Sequence, residues 1–207
     1  MNKYKTMTDD FLKRMYVPDV YQPSIYAIDY QKLKDAGIKL ISFDIDDTIA
    51  DLLKPDPSSA ATVLFTDLKN MGFDLMLLSN THRENRAKHF AEKLGIEGCW
   101  IAKAEKPGTV HFQAMKDKYQ VELSQMAHVG NNLREDVGGG NSFGITTCYV
   151  RREGVTAGLP KRIPGYRTQG QELRKELKKR NIWRKHHKKV EGDQYYQLGE
   201  IPPYRRS

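Results

Sequence analysis

The chain has 207 residues and a net charge of +8, from 34 Lys and Arg against 26 Asp and Glu. That length supports one domain with a substantial core and an appendage, and no apolar run approaches the length of a membrane span. The opening MNKYKTMTDDFLKRMY lacks the apolar core of a secretory signal, and Cys99 and Cys148, far apart in apolar surroundings, read as buried free thiols of a reducing cytoplasm.

Residues 1–37 contain Pro18, Pro23 and a short helical piece near 30–36, closed by Gly37. They are expected to pack on a core formed by residues 38–150. The run Leu40, Ile41, Ser42, Phe43 reads as a buried strand over about 39–43. It delivers Asp44, Asp46 and Asp47 into a turn. Pro55 and Pro57 follow, and Ser58 or Ser59 caps a helix to about residue 70. A second strand spans 73–78, ending at Ser79-Asn80. A polar helix covers 83–94 and a short strand 99–102. Pro107 opens a helix to about 119. A fourth strand covers 126–129, followed by Gly130-Asn131-Asn132. A short helix over 135–143 is broken by Gly138, Gly139 and Gly140, and a fifth strand covers 145–150. Strands alternating with helices predict an α/β fold: a Rossmann-like parallel sheet of about five strands with helices on both faces. Right-handed crossovers put the polar clusters after the strands on one edge.

Three carboxylates in four positions repel one another unless a cation, a shared proton or water compensates. A hard divalent ion such as Mg²⁺ suits oxygen ligands. The alternative is an acidic turn that merely caps a helix. Ser79, Lys106 and Asp136 on the same edge weigh against that alternative. A carboxylate pair, a hydroxyl donor and a cation suit phosphoryl transfer, which needs an in-line nucleophile and positive charge on the equatorial oxygens. An aspartate can be that nucleophile, and a second can protonate the leaving group and then activate water.

The motifs FDIDDTI, LLSN, EKP and VGNNLREDVGGGN occur in that order. With them the chain resembles the haloacid dehalogenase superfamily, and over residues 12–182 its subclass IIIA phosphatases of the YqeG type. The resemblance implies that Asp44 is nucleophile and metal ligand, and Asp46 acid/base with its main-chain carbonyl on Mg²⁺. It implies that Thr48, Ser79 and Asn80 surround the phosphoryl group, with Lys106 neutralising it, and that Asn131 and Asp136 complete the metal end. One position departs from the pattern. Asn131 stands where the family usually carries a ligating Asp, although its amide still offers a carbonyl oxygen. The gaps after Thr48 and after Asn80 leave no room for an inserted cap domain, so the site is expected to be open.

Residues 151–207 carry 16 of the basic and 6 of the acidic residues, a balance of +10, which leaves the first 150 at −2. A loop and a basic helix over 169–180 are expected to complete the domain through residue 182. Residues 183–207, with the basic cluster 184–189, read as a basic tail that is extended or disordered unless bound. Three readings of this end are open: solubility, contact of residues 174–206 with RNA, or contact with an anionic membrane. Some relatives in the subclass act on phosphatidylglycerophosphate, so the resemblance admits a lipid head group as well as a phosphorylated small molecule as substrate. It places the protein in the cytoplasm, free or peripheral on a membrane. A different class of reading is a catalytically weakened member that binds RNA or ribosomes. Of the remaining residues, His82 and Arg83 read as solvated helix-start residues and His128 as a hydrogen-bonded strand histidine. Trp100 reads as core, and Trp183 as lining a groove.

Overall fold

The computed structural model describes residues 2–79, 84–101, 107–150 and 168–183. Six strands form one parallel sheet: β1 (Val20–Gln22), β2 (Leu40–Phe43), β3 (Asp74–Ser79), β4 (Gly98–Ile101), β5 (Met126–Gly130) and β6 (Thr146–Val150). Their spatial order is β1-β6-β5-β2-β3-β4. The α/β class is as expected, but the sheet has one strand more than the five anticipated. β1 comes from the N-terminal segment and pairs with β6, Val20 opposite Cys148. Three residues framed by Pro18 and Pro23 are too short for an alternating pattern to register. Helix α1 (Asp9–Tyr16) was also not expected, although Thr8 caps it by accepting from Phe11 N.

Side-chain alternation divides the core between the two faces of the sheet. Ile41, Phe43, Leu75, Leu77, Val129 and Val150 meet α2 (Tyr30–Asp35), α3 (Ser59–Asn70) and α4 (Glu84–Leu94) on one face. On the other, Leu40, Met76, Leu78 and Met126 meet α5 (Val110–Tyr119). Toward the β1 edge, Tyr21 and Tyr149 pack with Leu12 and Tyr16 of α1, and with Leu173 and Leu177 of α7 (Thr168–Lys179). Ser58 caps α3 through Ala61 N, as its sequence predicts.

The glycine run does not break its helix. A π-helical turn over Leu133–Val137 leads directly into α6 (Gly138–Phe143). The glycines permit close approach: a Cβ at Gly138 would lie 2.8 Å from the Tyr16 ring, and one at Gly140 2.5 Å from Thr147 Cγ2. Asn141 ends the motif structurally, donating to the Met15 and Val17 carbonyls. Beside it, Asp19 Oδ2 accepts from Thr147 N at 2.6 Å, which ties the N-terminal segment to β6.

Arg180 closes the domain. Its guanidinium reaches the carbonyls of Tyr4, Lys5 and Met7 and the carboxylates of Asp9 and Glu176. Trp183 is 3% exposed and packs edge-on against Tyr21 and Tyr149, so the core extends one residue past the limit read from sequence, and no groove is lined by this ring. Cys148 is a buried free thiol, and burial pushes its pKa well above the ordinary range. The expectations for the Cys99 and Trp100 side chains, for His82 and Arg83, and for the tail from residue 184 lie outside the described residues. Trp183→Ala is expected to lower stability by about 3–5 kcal/mol in urea unfolding; an unchanged midpoint would show that the ring is not part of the core.

Candidate active site

β2 lies between β3 and β5, and the chain crosses from one side of it to the other. This is the topological switch point, where α/β sheets open a crevice at the strand ends. Asp44 leaves β2 there, its N–H donating to Val129 O at 2.9 Å. The chain then turns back sharply. The Ile45 carbonyl accepts from the N–H groups of Thr48, Ile49 and Ala50, and Asp47 N donates to Ala50 O. The turn requires a left-handed residue, and Asp47, at φ +61°, supplies it. Ile45 and Ile49 anchor the turn in the core, while Asp44 and Asp46 remain half-buried toward the crevice. Asp47 is 3% exposed, and its Oδ1 accepts from Leu52 N.

A hydrogen-bonded series connects the turn to the loop after β5. Thr48 Oγ1 donates to Asp44 Oδ2 at 3.1 Å. With its only proton so committed, the hydroxyl oxygen accepts from Asn131 Nδ2 at 2.8 Å. The same amino group donates to the main-chain carbonyl of Asp46 at 2.7 Å. Both N–H bonds of the Asn131 amide therefore point into the turn.

Asp136 stands one layer behind. Its Oδ2 accepts from Asn132 N at 2.9 Å, and its Oδ1 lies 3.2 Å from His128 Nε2. His128 Nδ1 is 2.9 Å from Ser42 Oγ. Ser42 Oγ also lies 3.3 Å from the Ala127 carbonyl. Serine, histidine and aspartate in sequence resemble a nucleophilic triad, yet Ser42 and His128 are each 1% exposed within paired strands. No substrate reaches that hydroxyl, so the three residues brace the loop. Gly130 is needed beside them, because a Cβ there would lie 2.3 Å from the Asp136 carboxylate.

Ser79 ends β3 on the same sheet edge and is buried. Asp44, Asp46, Thr48 and Asn131 are thus brought within hydrogen-bonding reach of one another, with Asp136 behind them and Ser79 on the adjacent strand. The expected roles of Asn80 and Lys106 lie outside the described residues. Sequence reasoning passed over Arg86 on α4, whose Nε donates to Asp46 Oδ1 at 3.2 Å. Nothing in its local sequence distinguishes it from other solvated helix residues. One turn on, His89 Nε2 is 2.6 Å from Asp56 Oδ1, and this hydrogen bond holds the Asp56 carboxyl below the usual carboxylate range.

The Asp44 carboxylate and the Asp46 carbonyl are hard oxygen donors and fit Mg²⁺. Asn131 adds its oxygen to that set only if the amide turns over, since its amino group now faces the Asp46 carbonyl. Both oxygens of Asp136 have protein partners. Among the described residues, no group of three or more His, Cys, Asp or Glu side chains gathers at one point.

Residues 11–144 match the haloacid dehalogenase-like hydrolase family, and the chain belongs to it. It is a hydrolase with the turn, loop and strand order just described. It is 32% identical over 139 residues to the Bacillus subtilis protein named "Probable phosphatase YqeG", covering 67% of this chain and 79% of that one. Among solved structures, the 3-deoxy-D-manno-octulosonate 8-phosphate phosphatase of Moraxella catarrhalis is 15% identical. It covers 73% of this chain and 92% of its own, with a TM-score of 0.45. The D,D-heptose 1,7-bisphosphate phosphatase of B. bronchiseptica is 15% identical over 53% of this chain and 79% of its own, also at 0.45.

Asn131→Asp would remove two donated hydrogen bonds and place a carboxylate beside the Asp46 carbonyl. Without divalent ions the variant is expected to melt about 3–8 °C below wild type. Mg²⁺ is expected to recover most of that loss and to raise wild type less. Thermal melts in EDTA and in Mg²⁺ measure both; equal responses of the two proteins would mean that position 131 does not face a metal.

Proposed function

We propose that this hydrolase is a Mg²⁺-dependent phosphatase that cleaves phosphomonoesters through an aspartyl phosphate on Asp44. The observation that carries the reading is the pair Asp44 and Asp46 on one rigid turn at the switch point, with the rotation of Asp44 set by Thr48. An Asp44 oxygen attacks phosphorus as the bond to the leaving oxygen breaks, and Asp46 donates a proton to that oxygen. Water then attacks the aspartyl phosphate and yields its proton to Asp46, releasing phosphate and restoring Asp44. Ser79 and Asn80 orient the phosphoryl oxygens and Lys106 neutralises them, while Thr48, fully buried with its one hydroxyl proton on Asp44, acts through that carboxylate and not on the phosphate. Mg²⁺, held by the Asp44 carboxylate and the Asp46 carbonyl, supplies charge stabilisation. Asn131 contributes to the metal end on turning its amide, and Asp136 positions the loop that carries it.

The stretch between Thr48 and α3 is short, and residues 80–106 hold only α4 and β4 as described elements. That supports an open site, suited to a phosphate presented on a large molecule or a surface. A phosphatidylglycerophosphate-like lipid phosphate is the finer proposal. Arg174, Lys175, Lys178 and Lys179 are exposed on α7 and would favour an anionic bilayer beside it. No helix among the described residues is long and apolar enough to cross a membrane. On this reading the protein acts from the cytoplasm and meets lipid only peripherally.

A second reading is favoured by the amino group of Asn131 on the Asp46 carbonyl. In it the chain is a weakened member of the family that binds RNA or ribosomes through its basic C-terminal end. Turnover of p-nitrophenyl phosphate and a panel of sugar and lipid phosphates separates the two. The phosphatase reading expects Mg²⁺-dependent turnover, abolished by Asp44→Asn and cut about 10²–10⁴-fold by Asp46→Asn. Absence of turnover together with salt-sensitive RNA binding would replace it with the second.

A further inference from the structure

Arg86 is 10% exposed in its side chain and lies in the first turn of α4. Its guanidinium stacks 4.3 Å from the centroid of the fully buried Phe90 ring. Nε donates to Asp46 Oδ1 at 3.2 Å and Nη2 to Asp51 O at 3.1 Å, while Nη1 donates to Lys54 O. One planar group therefore grips both a carboxylate of the catalytic turn and the backbone of residues 51–54, which lead away from it. The same segment is held from within by Asp51 Oδ1 on Leu53 N and by Asp47 Oδ1 on Leu52 N.

Two simpler readings fail on this geometry. A solvated ion pair is worth little, but this side chain is largely covered and has three separate acceptors. An arginine beside a phosphoryl site could hold substrate, but three of the five N–H donors, one on each nitrogen, are already given to protein oxygens and the side chain is only 10% exposed, which leaves it poorly placed to grip a phosphate with both arms. The contact to Asp46 engages Oδ1. Among the described residues Oδ2 has no hydrogen-bond partner, and Asp46 retains 26% side-chain exposure.

We propose that Arg86 is a positioning residue for the reaction above. It holds Asp46 by Oδ1 so that Oδ2 meets the leaving oxygen, and its bonds to the Asp51 and Lys54 carbonyls fix the guanidinium for that task. The inference rests on the phosphatase reading. In it, the proton on Asp46 Oδ2 passes to the leaving oxygen as the ester bond breaks. The same Oδ2 then takes the proton of the water that attacks the aspartyl phosphate, so the group ends as it began. A misaligned Oδ2 harms a leaving group that needs a proton and scarcely affects one that leaves as a stable anion.

The test uses the full chain with Mg²⁺ and two monoesters, glycerol 2-phosphate and p-nitrophenyl phosphate. Arg86→Gln is expected to lower kcat on glycerol 2-phosphate about 10²-fold, with KM changed less than about threefold and a much smaller loss on p-nitrophenyl phosphate. Arg86→Lys, which keeps the charge and the stem over Phe90, is expected to fall between wild type and Arg86→Gln and guards against a folding failure of the first variant. In an Asp46→Asn background, Arg86→Gln is expected to change kcat less than about twofold, because it acts through Asp46. Equal losses on both substrates, a rise in KM in place of a fall in kcat, or an undiminished penalty in the Asp46→Asn background would overturn the inference alone. A wild-type protein silent on both esters would overturn the phosphatase reading and this inference with it.

Discussion

The site depends on how β2 is laid against β5. In the register that pairs Phe43 with Val129, Asp44 leaves the sheet at the level where β5 has one more residue, Gly130, before its own loop begins. The hydrogen bond from Asp44 N to Val129 O is the last link of that ladder. From it the acidic turn and the loop 130–132 face each other without any inserted segment. A slip of one residue would turn Ile41 and Phe43 out of their core and would carry the aspartates to the wrong face. Burial of the β2 side chains therefore holds the chemistry in place.

The electrostatic problem posed by so many carboxylates is solved separately for each one. Asp44 receives a hydroxyl, Asp46 a guanidinium, Asp47 a main-chain N–H, and Asp136 a main-chain N–H and an imidazole. Among the described residues, none of these partners is shared between two carboxylates. The groups most deeply buried, Asp47 and Asp136, are met by backbone N–H groups, which cost no side-chain ordering. The two half-buried ones are left to side chains, and these face the crevice. Asp47 thus lies beside Asp46 in the chain and three residues from Asp44, the pair proposed for catalysis, and is distinguished from them by its partner.

Much of this was legible in the sequence. Strand ends at Phe43, Ser79 and Gly130 follow from apolar runs that stop at polar clusters, and the Ser58 cap follows from local chemistry. Asp47 is a different case. It reads as spare negative charge for a metal, but the turn consumes it twice, in its left-handed backbone and in its bond to Leu52. Arg86 and the Ser42–His128–Asp136 brace were not legible as a site. Their partners are 40, 86 and 8 residues away, and only the assembled sheet brings them together. The glycine run was misread as a helix break because propensity disfavours glycine in helices. Tight packing against Tyr16 and Thr147 outweighs that preference.

The clasp formed by Arg180 has a temporal side. It joins residues about 175 positions apart to the N-terminal turn. Trp183 and α7 pack in the same cluster as Leu133 and Val137, beside the loop that carries Asn131 and Asp136. During synthesis, the N-terminal strand and the loop over 130–137 are made long before the residues that cover them. Contacts of such long range are the last to form and the slowest to find. The acidic turn and its opposing loop both precede in the chain the residues of α7 that cover that loop, so the loop gains this packing only once α7 has been made.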